Sequence, residues 1–497
     1  MQNLQRYAIF GKQIVYTIIT QIIMVVLGIM QIPIITKNLG SSLYGTWAII
    51  ITTITIIIPF STLSFNMSLV RFLAAEKDIK KIREDFLSAF SLVVLSGLVF
   101  SLLFFGLSDV FARYILKDAS LIAYLRLSSV LVLLNTTFWV ITAFFRTGSR
   151  IGIFNILTLG WNALQVGLTI LFLLLGYGLT GVIYAAILSA VLLNIIGLFM
   201  ILREIGISRP KFSNIKTYLK WGLPLLPTNA ILWIISPGDR YIVSYFLGVS
   251  ATGIYSASSG IGAYTTFAFV PLSTVLYPII SKAYDEGNQE ECQNYFQLSF
   301  KYLMMITIPA AVGLTMLARP LLIILTTTEF VSGTPIIAFT AFGALASILY
   351  SLGIYIIYLV GKTQTIMKLL GISAATNVIL DILLVPHMGV IGAGIGSFVA
   401  TVVLGLLTLI VTRRHIKYDL SFSFLIKSAV SAGIMALCLW FIHPRSALMV
   451  LVSIIAGIIT YFGVLLLIRG FSKTELTFAT TFIRDNLKGI FRSKSKS

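Results

Sequence analysis

Apolar runs of about 20 residues follow one another along the chain, separated by short polar stretches. A helix needs about 20 residues to cross a bilayer core of about 30 Å. That length is met at 13–35, 44–66, 87–107, 121–144, 153–175, 180–202, 221–246, 253–280, 299–318, 334–360, 366–386, 388–411, 424–442 and 447–468. The pattern predicts an all-α polytopic membrane protein with fourteen spans. The first run is too long for the apolar part of a signal peptide and does not end at a small-residue cleavage site, so it is expected to be the first span.

A repeat lies inside this pattern. Leu39 to Trp47 (LGSSLYGTW) returns 208 positions later as Leu247 to Tyr255 (LGVSATGIY), sharing L-G-x-S-x-x-G-x-aromatic. Gly178 to Gly181 (GLTG) and Gly389 to Gly392 (GVIG) each open an apolar run and lie 211 apart. Two unrelated matches at nearly one offset predict an internal duplication of six spans. The expected units are 1–208, 209–418, a pair of spans in 419–470, and a basic tail in 471–497. Six is even, so the two lobes should share one topology and be related by a pseudo-two-fold axis along the membrane normal. Membrane repeats of this kind place a substrate site between the halves, which makes transport the leading class of function.

Composition agrees. With 58% hydrophobic and 11% charged residues, the chain cannot be a soluble globule, for which about 25% charged is usual. Basic residues favour cytoplasmic loops. With the N-terminus inside, 29 of the 36 Lys and Arg fall on that side, and fourteen spans bring both termini to the cytoplasm of a plasma membrane. The net charge of +19 then reflects orientation and attraction to anionic lipids, not nucleic acid. In the tail, Leu476, Phe478, Phe482, Ile483, Leu487, Ile490 and Phe491 are spaced as one helix face among Arg484, Lys488 and Arg492, the pattern of a surface-lying anchor.

Enzymatic chemistry finds no foothold. Cys292 and Cys438 fall in a cytoplasmic loop and a late span, and His387, His415 and His443 lie apart at helix ends without metal-ligand spacing. Outer loops are short and carry no acidic pair or nucleophile motif, which argues against a sugar polymerase. No cofactor and no metal are expected.

The stretches Leu223 to Tyr255, Arg319 to Ile336 and Asn377 to Gly396 (NVILDILLVPHMGVIGAGIG) resemble the Wzx-type polysaccharide-export flippases of the multidrug/oligosaccharidyl-lipid/polysaccharide exporter superfamily. The resemblance implies movement of a polyprenyl-diphosphate-linked oligosaccharide, such as an O-antigen unit, from the cytoplasmic to the outer leaflet by rocking of two lobes. It also brings polysaccharide polymerases and chain-length proteins into view as partners. The related peptidoglycan-precursor flippases usually carry an arginine-glycine-arginine pattern in the first helix. Here that helix has no internal arginine, which argues for an oligosaccharide cargo over lipid II.

Such a cargo needs cations and donors for its diphosphate, polar and aromatic walls for its sugars, and a gap between the lobes for its lipid tail. Ionisable residues within spans are the candidates, because each is expensive in lipid. Arg240 suits the diphosphate, since a guanidinium offers paired donors and keeps its charge; equally, Asp239, Arg240 or both could serve a structural ion-pair network that locks helices seven and eight. Asp381 and Asn377 share a helix face, and with Asp239 they could carry a proton or sodium ion exchanged for cargo. Where flippases of this type often have asparagine, this chain has Asp381. A structural carboxylate, hydrogen-bonded or ion-paired, with Arg240 as a candidate partner, is the other reading. Arg126 is expected to line the first lobe's wall or to snorkel, and Lys37 and Arg71 to meet the diphosphate or lipid phosphate at helix ends. Pro224, Pro227, Pro271 and Pro278 invite kinks in spans seven and eight, as gates or as static bends. Two other functions remain open: a cation-coupled exporter of drugs or small molecules on the same fold, and a non-transporting scaffold for polysaccharide assembly.

Overall fold

A computed structural model describes residues 2–147, 150–416, 418–471, 475 and 477. Among them every regular element is helical, and eleven helices are long and apolar enough to cross a membrane. Their outward surfaces carry large apolar side chains, such as Leu102 (61% exposed), Phe441 (73%) and Leu467 (82%). Exposure on that scale suits lipid, not water. The protein is a multi-pass membrane protein.

Three apolar runs are bent or broken, and each break has a visible cause. The 60-residue helix Gln2–Ser61 turns at Gly40, whose φ of 70° a side chain would oppose. The run near 226–247 is split into Leu226–Ile235 and Asp239–Leu247 by Ser236-Pro237-Gly238. Pro237 has no N–H to donate and disfavours helix in the residue before it. The Gly238 N–H then reaches back five residues to the Trp233 carbonyl (3.0 Å). The run expected at 253–280 is a helix Val249–Ala263, a 3-10 stretch Tyr264–Ala268 and a helix Phe269–Asp285.

Two cores lie on either side of a thin seam. One gathers Phe65, Phe86, Phe144 and Trp161, and the other Ile280, Phe296, Leu303 and Leu352. At the seam the two copies of the repeated motif meet. A Cβ on Gly45 would run into the Val249 carbonyl oxygen, and one on Gly253 into the Ser41 carbonyl oxygen. These contacts are mirrored through the 208-residue offset. Only glycine at both positions lets the helices approach so closely. Ser41 and Ser250 hydroxyls bond beside them at 2.7 Å.

The connector between the two cores is tied to the first. Lys211 Nζ donates to Glu84 Oε1 (2.7 Å), Asn214 Nδ2 to Asp85 Oδ1 (2.9 Å), Tyr218 OH to Asp85 Oδ2 (3.0 Å) and Arg83 Nε to the Ile205 carbonyl. Burial, then the Asp85 charge, pushes the Tyr218 hydroxyl well above its ordinary range.

Candidate functional site

The turn at Ser236 to Gly238 starts a new helix at Asp239, so Asp239 and Arg240 leave its first residues in different directions. Asp239 turns into the packing among the helices of the second half and is 1% exposed. Its Oδ2 accepts from Tyr255 OH (2.5 Å) and from Ser397 Oγ. The Asn377 amide, with its nitrogen turned to the acceptors, donates to Asp239 Oδ1 (2.9 Å) and to the Ile234 carbonyl (3.2 Å). Asn377 therefore spans the break in the helix.

Asp381 lies one turn beyond Asn377, fully buried, with its carboxyl beside that of Asp239. Neither Asp381 oxygen meets a donor among the described residues. Gly396 makes room for it, since a Cβ there would overlap Asp381 Oδ1. Two adjoining buried carboxyls repel unless one of them holds a proton or a positive charge lies between them. Arg240 does not supply it: among the described residues no carboxylate lies within ion-pair distance of Arg240, and the structural pairing of Arg240 with Asp239 or Asp381 is not formed.

Arg240 turns instead to the seam, where Nε donates to Ser256 Oγ (2.9 Å) and Nη1 reaches Thr52 Oγ1 (3.5 Å). It lines a cavity of about 520 Å³ between the cores, with Gln31, Tyr44, Trp47, Thr55 and Ser236 among its walls. A second cavity of about 320 Å³, among helices of the second half, is lined by Asp239, Arg240, Tyr255, Tyr350, Ser397 and Thr401. Across the seam Trp233 Nε1 donates to the Thr52 carbonyl (3.1 Å) and Thr55 Oγ1 (3.2 Å). One helix segment thus carries a carboxyl to a buried cluster and a guanidinium to an open cavity.

A third space is apolar. It is about 540 Å³, lined by Leu314, Leu317, Met435, Leu439, Ile458 and Phe462 among others, and touches the seam cavity at Tyr264. It lies where the helices Phe422–Ile442 and Ala447–Leu467 meet Gln289–Leu325. The gap for a lipid chain was expected between the lobes. The apolar space lies instead beside the appended pair.

The remaining candidates lie elsewhere. Arg126 is half-exposed, bonds Asp109 Oδ2 at 2.5 Å and sits over Phe105; it lines neither cavity around Arg240. Lys37 is exposed beside Gly40. Arg71 stacks on Trp221 (4.9 Å) and Phe72 (5.8 Å), beside the connector. Pro224 and Pro227 start short helical pieces and bend no helix interior. Pro271 and Pro278 fall in Phe269–Asp285, but their side chains lie outside the described residues, as does the tail pattern from Leu476. Among the described residues there is no cluster of metal-ligating side chains.

Sequence reasoning missed Tyr255, Ser397, Ser256, Thr52 and Pro237. Tyr255 and Trp47 are the aromatic ends of the repeated motif, and each faces one of the two sites. That equivalence was the available signal.

A helical membrane protein with a cationic cavity between two cores and a buried acidic cluster behind it is the class these features define. Residues 34–335 match the family described as polysaccharide biosynthesis protein. The chain belongs to that family. It is 27% identical over 220 residues to an uncharacterised membrane protein of Methanocaldococcus jannaschii, covering 42% of this chain and 43% of that one. The chain thus matches less than half the length of this relative. It is 23% identical over 352 residues to the probable flippase AglR of Haloferax volcanii, covering 67% and 71%. Among solved structures it is similar in fold to the lipid II flippase MurJ in an inward closed conformation, with a TM-score of 0.75, 19% identity, and 95% and 100% of the two chains covered.

Proposed function

We propose that this protein is a flippase that moves a polyprenyl-diphosphate-linked oligosaccharide from the cytoplasmic to the outer leaflet by alternating access of two six-helix lobes. The observation that carries this reading is Arg240: a guanidinium without an ion-pair partner among the described residues, in an interlobe cavity walled by aromatic and hydroxyl side chains. Such a site suits a diphosphate followed by sugars. In this reading the first long helix counts as two spans, parted at Gly40, and the broken runs 226–247 and 249–285 as one each, which would bring the eleven membrane-length helices to fourteen spans. With the basic loops inside, the Gly45–Gly253 seam lies at the outer face, and the resting state is closed there. The apolar space beside the last two helices suits the prenyl chain.

The cluster of Asp239, Asp381 and Asn377 serves as the coupling site in this reading, taking one proton or sodium ion between the carboxyls. Occupancy there would alter the break that Asn377 spans, and with it the position of Arg240. Arg71, beside the connector, meets the phosphates first.

The acidic cluster also favours a second reading, a cation-coupled exporter of cationic drugs. Proteoliposomes loaded either with a fluorescent prenyl-diphosphate oligosaccharide or with a cationic dye separate the two. Movement of the lipid, with no dye movement, supports the flippase; the reverse supports the exporter; movement of neither supports the scaffold reading.

A further inference from the structure

Besides the glycine seam, two loops cross between the halves at the same end of the bundle, and they are related by the repeat. Asp118 and Glu329 lie 211 residues apart, in the short turns that precede the helices Ile122–Ser128 and Thr334–Leu359. In the second copy, Glu329 Oε2 accepts from the Ser41 N–H (3.1 Å), and it lies against Gly40. Ser41 is the first residue of the helix that restarts after Gly40. In the first copy the crossing is made by Lys117, whose Nζ donates to the Tyr245 carbonyl (3.0 Å) and sits 4.2 Å from the Tyr245 ring centre. Tyr245 lies in the last turn of Asp239–Leu247, which ends at Gly248 with φ 86°. Gly40 and Gly248 are the matching glycines of the repeated motif.

Each loop therefore lays a charge of the correct sign on a helix end of the opposite half. An anion faces free N–H groups after Gly40, and a cation faces free carbonyls before Gly248. Glu329 is supported by its neighbours: Phe330 packs edge-on against Tyr44 at 6.1 Å, and Thr36 Oγ1 donates to the Leu325 carbonyl (3.2 Å). Asp118, by contrast, stays local, accepting from its own Ser120 N–H (2.9 Å) and hydroxyl (2.6 Å).

We propose that Lys117 and Glu329 are a pair of latches that hold this end of the seam shut, one on each side of the repeat axis. Both must release before the seam opens. Because each is exposed and electrostatic, the latches bias the seam toward the closed state without locking it. The proposal rests on the alternating-access reading and on that reading's orientation of the seam toward the outside.

The test is the rate at which an impermeant thiol reagent, added outside intact cells, labels a cysteine at Ala48, a cavity-lining position. The background carries Cys292→Ser and Cys438→Ser. Glu329→Gln and Lys117→Met should each raise the rate about two- to fivefold, the equilibrium shift that a helix-end charge supports, and together the product of the two. Asp118→Asn should leave it unchanged. Equal rates in all variants overturn the latch while leaving alternating access intact; an increase in Asp118→Asn as large as in Glu329→Gln also overturns it. No labelling in any variant, with labelling after permeabilisation, sinks the alternating-access reading and the latch with it.

Discussion

Asp239 and Arg240 are adjacent in the chain and serve separate spaces: the carboxyl of Asp239 is bonded to Tyr255 and Ser397 among the helices of the second half, and the guanidinium of Arg240 is bonded to Ser256 in the seam cavity. The turn at Ser236 to Gly238 makes this possible, because a helix starting there can send consecutive side chains about 100° apart from a shared rigid base. A change at one site is thus one peptide bond from the other.

Replacing Asp381 by asparagine should keep the fold, because the amide fits the same space beside Gly396 and gives Asp239 a donor. Transport driven by a proton or sodium gradient should then lose its response to that gradient while downhill movement persists. Proteoliposomes with and without an imposed gradient decide this. A variant that still responds to both ions as the wild type does would remove Asp381 from coupling.

The seam glycines have a sharper requirement. Leucine at Gly45 or Gly253 must displace backbone carbonyls of the facing helix, and overpacking of this kind typically costs about 1–3 kcal/mol. The loss falls on the closed seam alone, so either variant should populate the open form. Spin labels across the seam, read as a distance distribution, should gain a longer component. An unchanged distribution would mean that the contact does not set the state.

Much of this arrangement was legible in the residues. The apolar runs located the helices because lipid demands long uninterrupted segments, and the L-G-x-S-x-x-G-x-aromatic repeat marked the two helices that now cross. Arg240, Asp239, Asp381 and Asn377 stood out because ionisable and amide groups are rare in spans. Which way each side chain turns was not legible. A structural ion-pair network through Asp239 and Arg240 is a reasonable expectation from two charges in one span; the break at Pro237, which starts a new helix at Asp239, carries no signal beyond that of the other prolines in the same run, Pro224 and Pro227. Arg126 was drawn to the cavity by its depth in a span, whereas its partner Asp109 lies on a different helix and no sequence spacing joins them. Serine and threonine partners such as Ser397 and Thr52 are too common in membrane helices to announce themselves.

The connector's tie to the first core has a pH signature. Tyr218→Phe should lower stability by about 1 kcal/mol, the usual worth of one such bond. The Tyr218 hydroxyl is raised in the folded state, so its contribution is fully present below the ordinary tyrosine value of about 10. It fades as pH rises through the folded value. The difference in melting temperature between wild type and Tyr218→Phe should therefore stay constant from about pH 6 to 9 and shrink above about 10. A difference that varies within the lower range would assign the effect to another group.

The central claim is that Arg240 holds the cargo's diphosphate. Its direct measure is the flipping rate of a fluorescent polyprenyl-diphosphate oligosaccharide in proteoliposomes, compared among wild type, Arg240→Lys and Arg240→Ala at matched amounts of folded protein. The account predicts that alanine lowers the rate at least about a hundredfold, as loss of a buried charge contact of about 3 kcal/mol would, and that lysine recovers part of it. Wild-type rates in Arg240→Ala would contradict it.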